Sequence, residues 1–217
     1  MKKVVSMILA IALLAICAFS LTSCSGGSCE YFGTRDTEGR KLRYAKITFE
    51  DYGEVYLLLD ETTAPITVRN FLRLANDDFY DGLTMHRVIS DFMIQGGDPN
   101  GDGTGGSETE IIGEFSENHY EKNDLKHLRG VISMARGEGK NSASSQFFIC
   151  TADSPNLDGE YAAFGYVIAG MNVVDKISDT TVVYAVGDNG AIPDASKRAV
   201  IASVDEITEE EALRAAR

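Results

Sequence analysis

From Tyr44 to Ile207 the apolar residues fall in many short, strand-length runs bounded by Gly, Asn, Asp and Ser, with only two stretches of helical period among them. That pattern lacks the strand–helix alternation of a parallel sheet and predicts an all-β body, an antiparallel barrel or sandwich. Tyr44 to Phe49 alternates, and beyond the turn at Asp51-Tyr52-Gly53 the run Glu54 to Leu59 reads as its hairpin partner. From Pro65 the period changes: Val68, Phe71, Leu72 and Ala75 form one stripe, with Arg69, Arg73 and Asn76 facing outward. Further apolar runs lie at Met85 to Ile89, Phe92 to Gln95, Gly130 to Ala135, Gln146 to Cys150, Ala162 to Val167 and Val200 to Ile207, and a short helix is expected at Met171 to Ile177. Thr208 followed by Glu209, Glu210 and Glu211 resembles a capping box, so residues 209–217 read as a short polar helical tail decorating the domain.

The N-terminus has a different character. Lys2 and Lys3 precede a run from Val4 to Leu21 broken only by Ser6 and Ser20, the charged and greasy regions of an export signal. The run is long enough to span a membrane. It ends, however, in Leu21-Thr22-Ser23-Cys24, which resembles a bacterial lipobox, where the chain is cut before the cysteine and the thiol is acylated. Residues 1–23 are therefore expected to be a lipoprotein signal and Cys24 the lipidation site; an uncleaved anchor and ordinary secretion are the alternatives, and each leaves the body outside the cytoplasm. Residues 24–42, rich in Ser, Gly and charge and without period, read as a tether. The folded domain is expected over 43–208.

Without residues 1–23 the chain has 18 bases against 33 acids, a net charge of −15. A body so acidic is a poor partner for nucleic acid or for an anionic lipid surface, so membrane attachment requires the lipid. Once Cys17 has left and Cys24 is acylated, Cys29 and Cys150 remain. One lies in a polar tether and the other in an apolar strand, and no disulfide is expected. No ligand spacing for a metal is present, and His86, His119 and His127 are scattered.

The most informative segment is MHRVISDFMIQGGD, Met85 to Asp98. Alternation places Arg87 on one face with Met85 and Ile89, then Met93 with Gln95; in SSQFFIC it places Gln146 with Phe148 and sends Phe147 and Ile149 to the core. An arginine on an apolar strand is costly unless it is paired, for instance with Asp91, covers apolar surface, or reaches solvent at a pocket rim. The glycine-dense loop from Gly96 to Gly113 lacks the Lys-Ser/Thr and the strand–loop–helix frame of a phosphate loop, and its acids Asp98, Asp102 and Glu108 lack the closing glutamate of a calcium loop. These acids read as solvating a turn-rich loop. His86, on the opposite parity to Arg87, reads as a buried, hydrogen-bonded structural residue.

The ordered set HRVIxxFMIQGGD, GTGG, SMA, SQFFIC, LDG and FG resembles the cyclophilin family over about Tyr44 to Ile207. The resemblance implies a closed eight-stranded antiparallel β-barrel capped by two α-helices, with an active groove on its outer surface. It implies peptidyl-prolyl cis/trans isomerase activity, with proline-containing peptides and folding exported proteins as partners and no cofactor. It places the catalytic arginine at Arg87, with Gln95 and Phe92 beside it. The proline pocket falls on Phe92, Met93, Phe148, Leu157 and Tyr161, and Gln146 joins Gln95 in the polar groove. The backbone near Ala135, Arg136 and Gly137 would hold the extended peptide, and Gly103 would border the neighbouring subsite. Two departures stand out: Asn156 occupies a position the family often fills with tryptophan, and Tyr161 that of a pocket histidine. The first implies weakened cyclosporin binding rather than lost catalysis. A non-catalytic proline-peptide binding module and a chaperone are the competing functions; retention of Arg87 favours the enzyme, because grip alone does not need a guanidinium.

Overall fold

The structure, a computed structural model, describes residues 39–217. The expected signal, Cys24, Cys29 and most of the expected tether lie outside the described residues. Nine strands, β1 (Leu42–Phe49), β2 (Gly53–Asp60), β3 (Thr84–Met85), β4 (Arg87–Ile89), β5 (Met93–Gly96), β6 (Val131–Met134), β7 (Phe147–Cys150), β8 (Ala163–Ala169) and β9 (Ala199–Ile207), form one sheet in the order β3-β9-β1-β2-β8-β6-β7-β5-β4. Every pairing is antiparallel. The two ends of this order, β3 and β4, are separated in the chain by His86 alone. One run of chain therefore supplies both edges, which brings the sheet round on itself.

The strand count is nine where eight were expected, because that run is broken. The carbonyl of His86 accepts from Ile192 N (2.9 Å) instead of from a barrel strand, splitting Thr84 to Ile89 into two short pieces. The barrel is filled by alternate residues, among them Ile47, Leu57, Leu59, Ile94, Ile132, Phe147, Ile149 and Phe164. α1 (Pro65–Asn76) presses the expected stripe into it, with Phe71 against Tyr80, Phe147 and Phe164 at ring-centroid distances of 5.3, 5.7 and 5.3 Å. Burial of each such side chain contributes about 1.5–3 kcal/mol, so this cluster outweighs the surface ion pairs at about 0–1 kcal/mol each. α2 (Met171–Thr181) adds Val174 and Ile177 and runs four residues past its expected end.

Ala64, at the start of α1, provides no side-chain cap. The carboxylate of Glu114 does so from far along the chain, accepting from Ile66 N (3.0 Å), Thr67 N (2.8 Å) and Thr67 Oγ1 (2.8 Å) while fully buried. These bonds satisfy helix N–H groups that otherwise have no partner and offset the cost of burying a carboxylate. α3 (Glu209–Ala215) is capped by Thr208, whose hydroxyl accepts from Glu211 N (3.2 Å). It is more than decoration: Ala212 is fully buried in a second apolar cluster with Tyr44, Leu58, Leu125, Val131 and Tyr166.

Candidate active site

Strand register builds the site. Arg87 lies opposite Gln95, Gln95 opposite Phe148 and Phe148 opposite Ser133, so one row crosses β4, β5, β7 and β6. The adjacent row, Val88, Ile94, Ile149 and Ile132, faces the barrel interior and is fully buried. Directly opposed residues share a face of the sheet. Arg87, Gln95 and Phe148 are thus delivered together to the outer surface by the same pleat that buries their neighbours.

Met93, Phe148, Cys150 and Leu157 make a small outer cluster with Ile89, Phe92, Ala135 and Tyr161 packed against it. Phe148 meets Tyr161 edge to face at 5.8 Å and 87°, a preferred arrangement of aromatic quadrupoles. Arg87, Phe92, Met93, Gln95, Ala135, Arg136, Phe148, Leu157 and Tyr161 line one cavity of about 250 Å³. Beside it lies a polar cavity of about 260 Å³ that shares Gln95, Ala135 and Arg136 and adds Gly103, Glu110, Gly137 and Gln146. Every residue assigned to the site from the sequence lines one or both cavities. Asn156 is exposed.

Arg87 is half-buried, and its partner is not Asp91. Its Nη1 donates to Gln95 Oε1 (2.8 Å) and its Nε to the Asn189 carbonyl (2.5 Å). Gln95 Nε2 donates to Gln146 Oε1 (2.8 Å), and Gln146 Nε2 donates to the carbonyls of Gly105 (2.7 Å) and Gly103 (3.1 Å). A chain of amides thus links the guanidinium to the glycine loop. Burial lowers the pKa of Arg87, yet an arginine keeps its charge. A guanidinium has five N–H groups, so the two bonds leave others to meet a ligand.

Several contributors have no local signal in the sequence. His127, fully buried, stacks behind Phe148 (centroids 6.0 Å apart, 15° between planes), with Nδ1 3.1 Å from Asp158 Oδ1 and Nε2 3.0 Å from Ser133 Oγ. Burial pulls the His127 pKa down against the opposing pull of Asp158. Burial pushes Asp158 upward, but hydrogen bonds from the backbone and ring of His127 outweigh it and hold the acid below its usual value. Arg136, assigned from its backbone alone, has a guanidinium 4.9 Å from the Tyr161 ring centroid and 5.3 Å from that of Phe115, with Nε donating to the Glu160 carbonyl (3.0 Å). Its side chain is a wall shared by the two cavities.

Two expectations require correction. Asp98 does not solvate its loop: it is buried and accepts from the N–H groups of Asn100, Asp102 and Gly103 at 2.8, 3.0 and 2.6 Å, folding the glycine segment round itself. His86 is buried, but neither ring nitrogen makes a well-formed hydrogen bond among the described residues; burial lowers its pKa, and the Thr84 backbone acts on the ring only weakly against that pull. Cys150 is a buried free thiol raised to about 12, chiefly by burial. Among the described residues no group of three or more His, Cys, Asp or Glu could hold a metal ion.

Comparison with known proteins bears on this geometry. The family model described as cyclophilin type peptidyl-prolyl cis-trans isomerase/CLD matches residues 44–203. A peptidyl-prolyl cis-trans isomerase of Helicobacter pylori strain J99 is 41% identical over 157 residues, covering 71% of this chain and 93% of that one. One of Synechococcus elongatus is 49% identical over 113 residues, covering 52% and 72%. The crystal structure of a Cryptosporidium parvum cyclophilin type isomerase superposes with a TM-score of 0.66 at 28% identity, over 78% of this chain and 99% of that one, and a second crystal structure of it, in the presence of the dipeptide Ala-Pro, gives 0.65. A nearly closed antiparallel barrel, an arginine-rimmed cavity on its outer face backed by Phe92, Met93, Phe148 and Leu157, and a family match over residues 44–203 together place this chain in the cyclophilin-type peptidyl-prolyl cis-trans isomerase family.

Proposed function

We propose that the outer groove binds proline-containing segments of exported proteins and accelerates rotation about their X-Pro bonds, with Arg87 as the catalytic group. The amide barrier is about 18–20 kcal/mol because the nitrogen lone pair is delocalised into the carbonyl, and unaided exchange takes tens to hundreds of seconds. In this reading Phe92, Met93, Phe148, Leu157 and Tyr161 grip the proline ring. The backbone at Ala135 to Gly137 holds the flanking chain, and a free Arg87 N–H donates to the twisted imide. A charged hydrogen bond stronger by about 3 kcal/mol in the twisted than in the planar state gives roughly a hundredfold in rate. Only that difference accelerates the reaction.

The observation that supports this most strongly is the guanidinium at the rim of a cavity walled by Phe92, Met93, Phe148 and Leu157, held by two neutral acceptors and, among the described residues, by no acid, so that its charge is available to a ligand. The presence of Ala-Pro with the Cryptosporidium relative points to the same ligand class. A protease-coupled assay on a proline peptide tests it: Arg87→Ala should lower kcat/KM about a hundredfold with binding of the peptide retained. Turnover that survives the substitution, or is missing from the intact protein, would leave a binding module.

The location belongs to the same proposal. An export signal ending in Leu21-Thr22-Ser23-Cys24 supports a lipid anchor on the outer face of a bacterial membrane, where assisting the folding of newly exported chains would be the use of such an enzyme. Cyclosporin should bind weakly, since exposed Asn156 stands where the family often presents tryptophan.

A further inference from the structure

The segment after α2 carries no regular element in the sequence, yet it lies along the free edge of β4. Val88 N donates to the Gly190 carbonyl (2.8 Å) and Ile192 N to the His86 carbonyl (2.9 Å), with Arg87 and Val186 each bridged to Ala191. Buried Ile192 pins the segment to the core. Between these anchors the chain turns at Gly190, which has φ +70°, and a Cβ there would stand 2.4 Å from the Val88 carbonyl oxygen and 2.5 Å from Ile89 Cγ1. Only glycine meets both conditions. The turn sets the carbonyl of Asn189 2.5 Å from Arg87 Nε.

We infer that the Asn189-Gly190 turn is a positioning element for Arg87: with Gln95 on Nη1 and the Asn189 carbonyl on Nε, the guanidinium is held at two different nitrogens and its plane has one orientation. The inference rests on the proposed role of Arg87 and adds what aims it. Fixing a donor before the transition state forms removes reorganisation from the reaction itself. Loosening the turn therefore lowers turnover more than it weakens binding, because the proline cavity is lined by other residues.

Two measurements on the full chain test this. By NMR on the unsubstituted protein, with Arg87→Lys to assign the signal, Arg87 Nε–H should exchange with water at least tenfold more slowly than the Nε–H of exposed Arg69. In Gly190→Ala, line-shape analysis of a proline peptide should show kcat down at least tenfold with KM within twofold, and the Arg87 Nε–H should exchange faster. An Arg87 signal exchanging as fast as that of Arg69 overturns the inference. So does a folded Gly190→Ala with unchanged kcat, or one in which KM rises as much as kcat falls. If Gly190→Ala does not fold, the exchange measurement on the unsubstituted protein decides alone. Loss of turnover in Arg87→Ala but not in Gly190→Ala defeats the positioning role only; turnover retained in Arg87→Ala defeats the functional reading beneath it.

Discussion

Asn156 offers a way to test two properties of the proposed groove separately. It stands beside Leu157, which lines the proline cavity, but does not line that cavity itself. A tryptophan there would add apolar surface at the rim, and each Å² removed from water is worth about 25 cal/mol. Asn156→Trp is accordingly expected to tighten cyclosporin binding at least tenfold while changing kcat/KM for a short proline peptide less than threefold; a calorimetric titration beside the peptide assay checks both. No gain in affinity would show that the weak-binding expectation has another cause. At this scale much of the site was legible from alternation, which separated Phe148 from Phe147 and Ile149, while the family motifs supplied Gln95, Gln146 and Leu157. His127 was not, because its partners Ser133, Phe148 and Asp158 are assembled only by the fold. Nor was Asn189, which acts through a backbone carbonyl that every residue possesses; the Asn-Gly pair marks a turn but says nothing of what the turn faces.

Among the elements, α1 is the clearest case of a local signal completed at long range. Its period and its leading proline predict where it starts and which stripe it buries. What satisfies its first N–H groups is Glu114, 47 residues from Thr67. Removing that carboxylate strands several buried donors at once, each worth about 1–3 kcal/mol. Glu114→Ala should therefore destabilise the protein by at least about 2 kcal/mol, read as a lower urea midpoint at unchanged slope. A change below about 0.5 kcal/mol would show that water or another group takes over the cap. The strand positions were readable to within a residue or two, since period two and turn residues are local properties. The split of the Thr84 to Ile89 run into two strands was not, because it depends on Ile192 reaching the His86 carbonyl. The docking of α3 likewise turns on one small residue, Ala212, fitting against the outer faces of β1, β2 and β8, and polar sequence around it hid that contact.

For the whole molecule the governing quantity is charge. Residues 24–217 carry a net −15, which an anionic bilayer repels, so the proposed residence at a membrane rests wholly on acylation of Cys24. In a bacterial host, the unsubstituted chain should take up labelled palmitate and sediment with membranes, and Cys24→Ser should do neither while remaining an active isomerase. A Cys24→Ser protein that still sediments with membranes would point to an uncleaved anchor, and an unlabelled, soluble parent chain to plain secretion.

The interleaved rows of β4, β5, β7 and β6 have an evolutionary corollary. Arg87, Gln95 and Phe148, which line the groove, alternate with Val88, Ile94 and Ile149, which fill the barrel, so drift at one parity acts first on the groove and drift at the other first on the core. A site dug into the barrel lumen would instead ask the same side chains to fill the core and to meet the ligand.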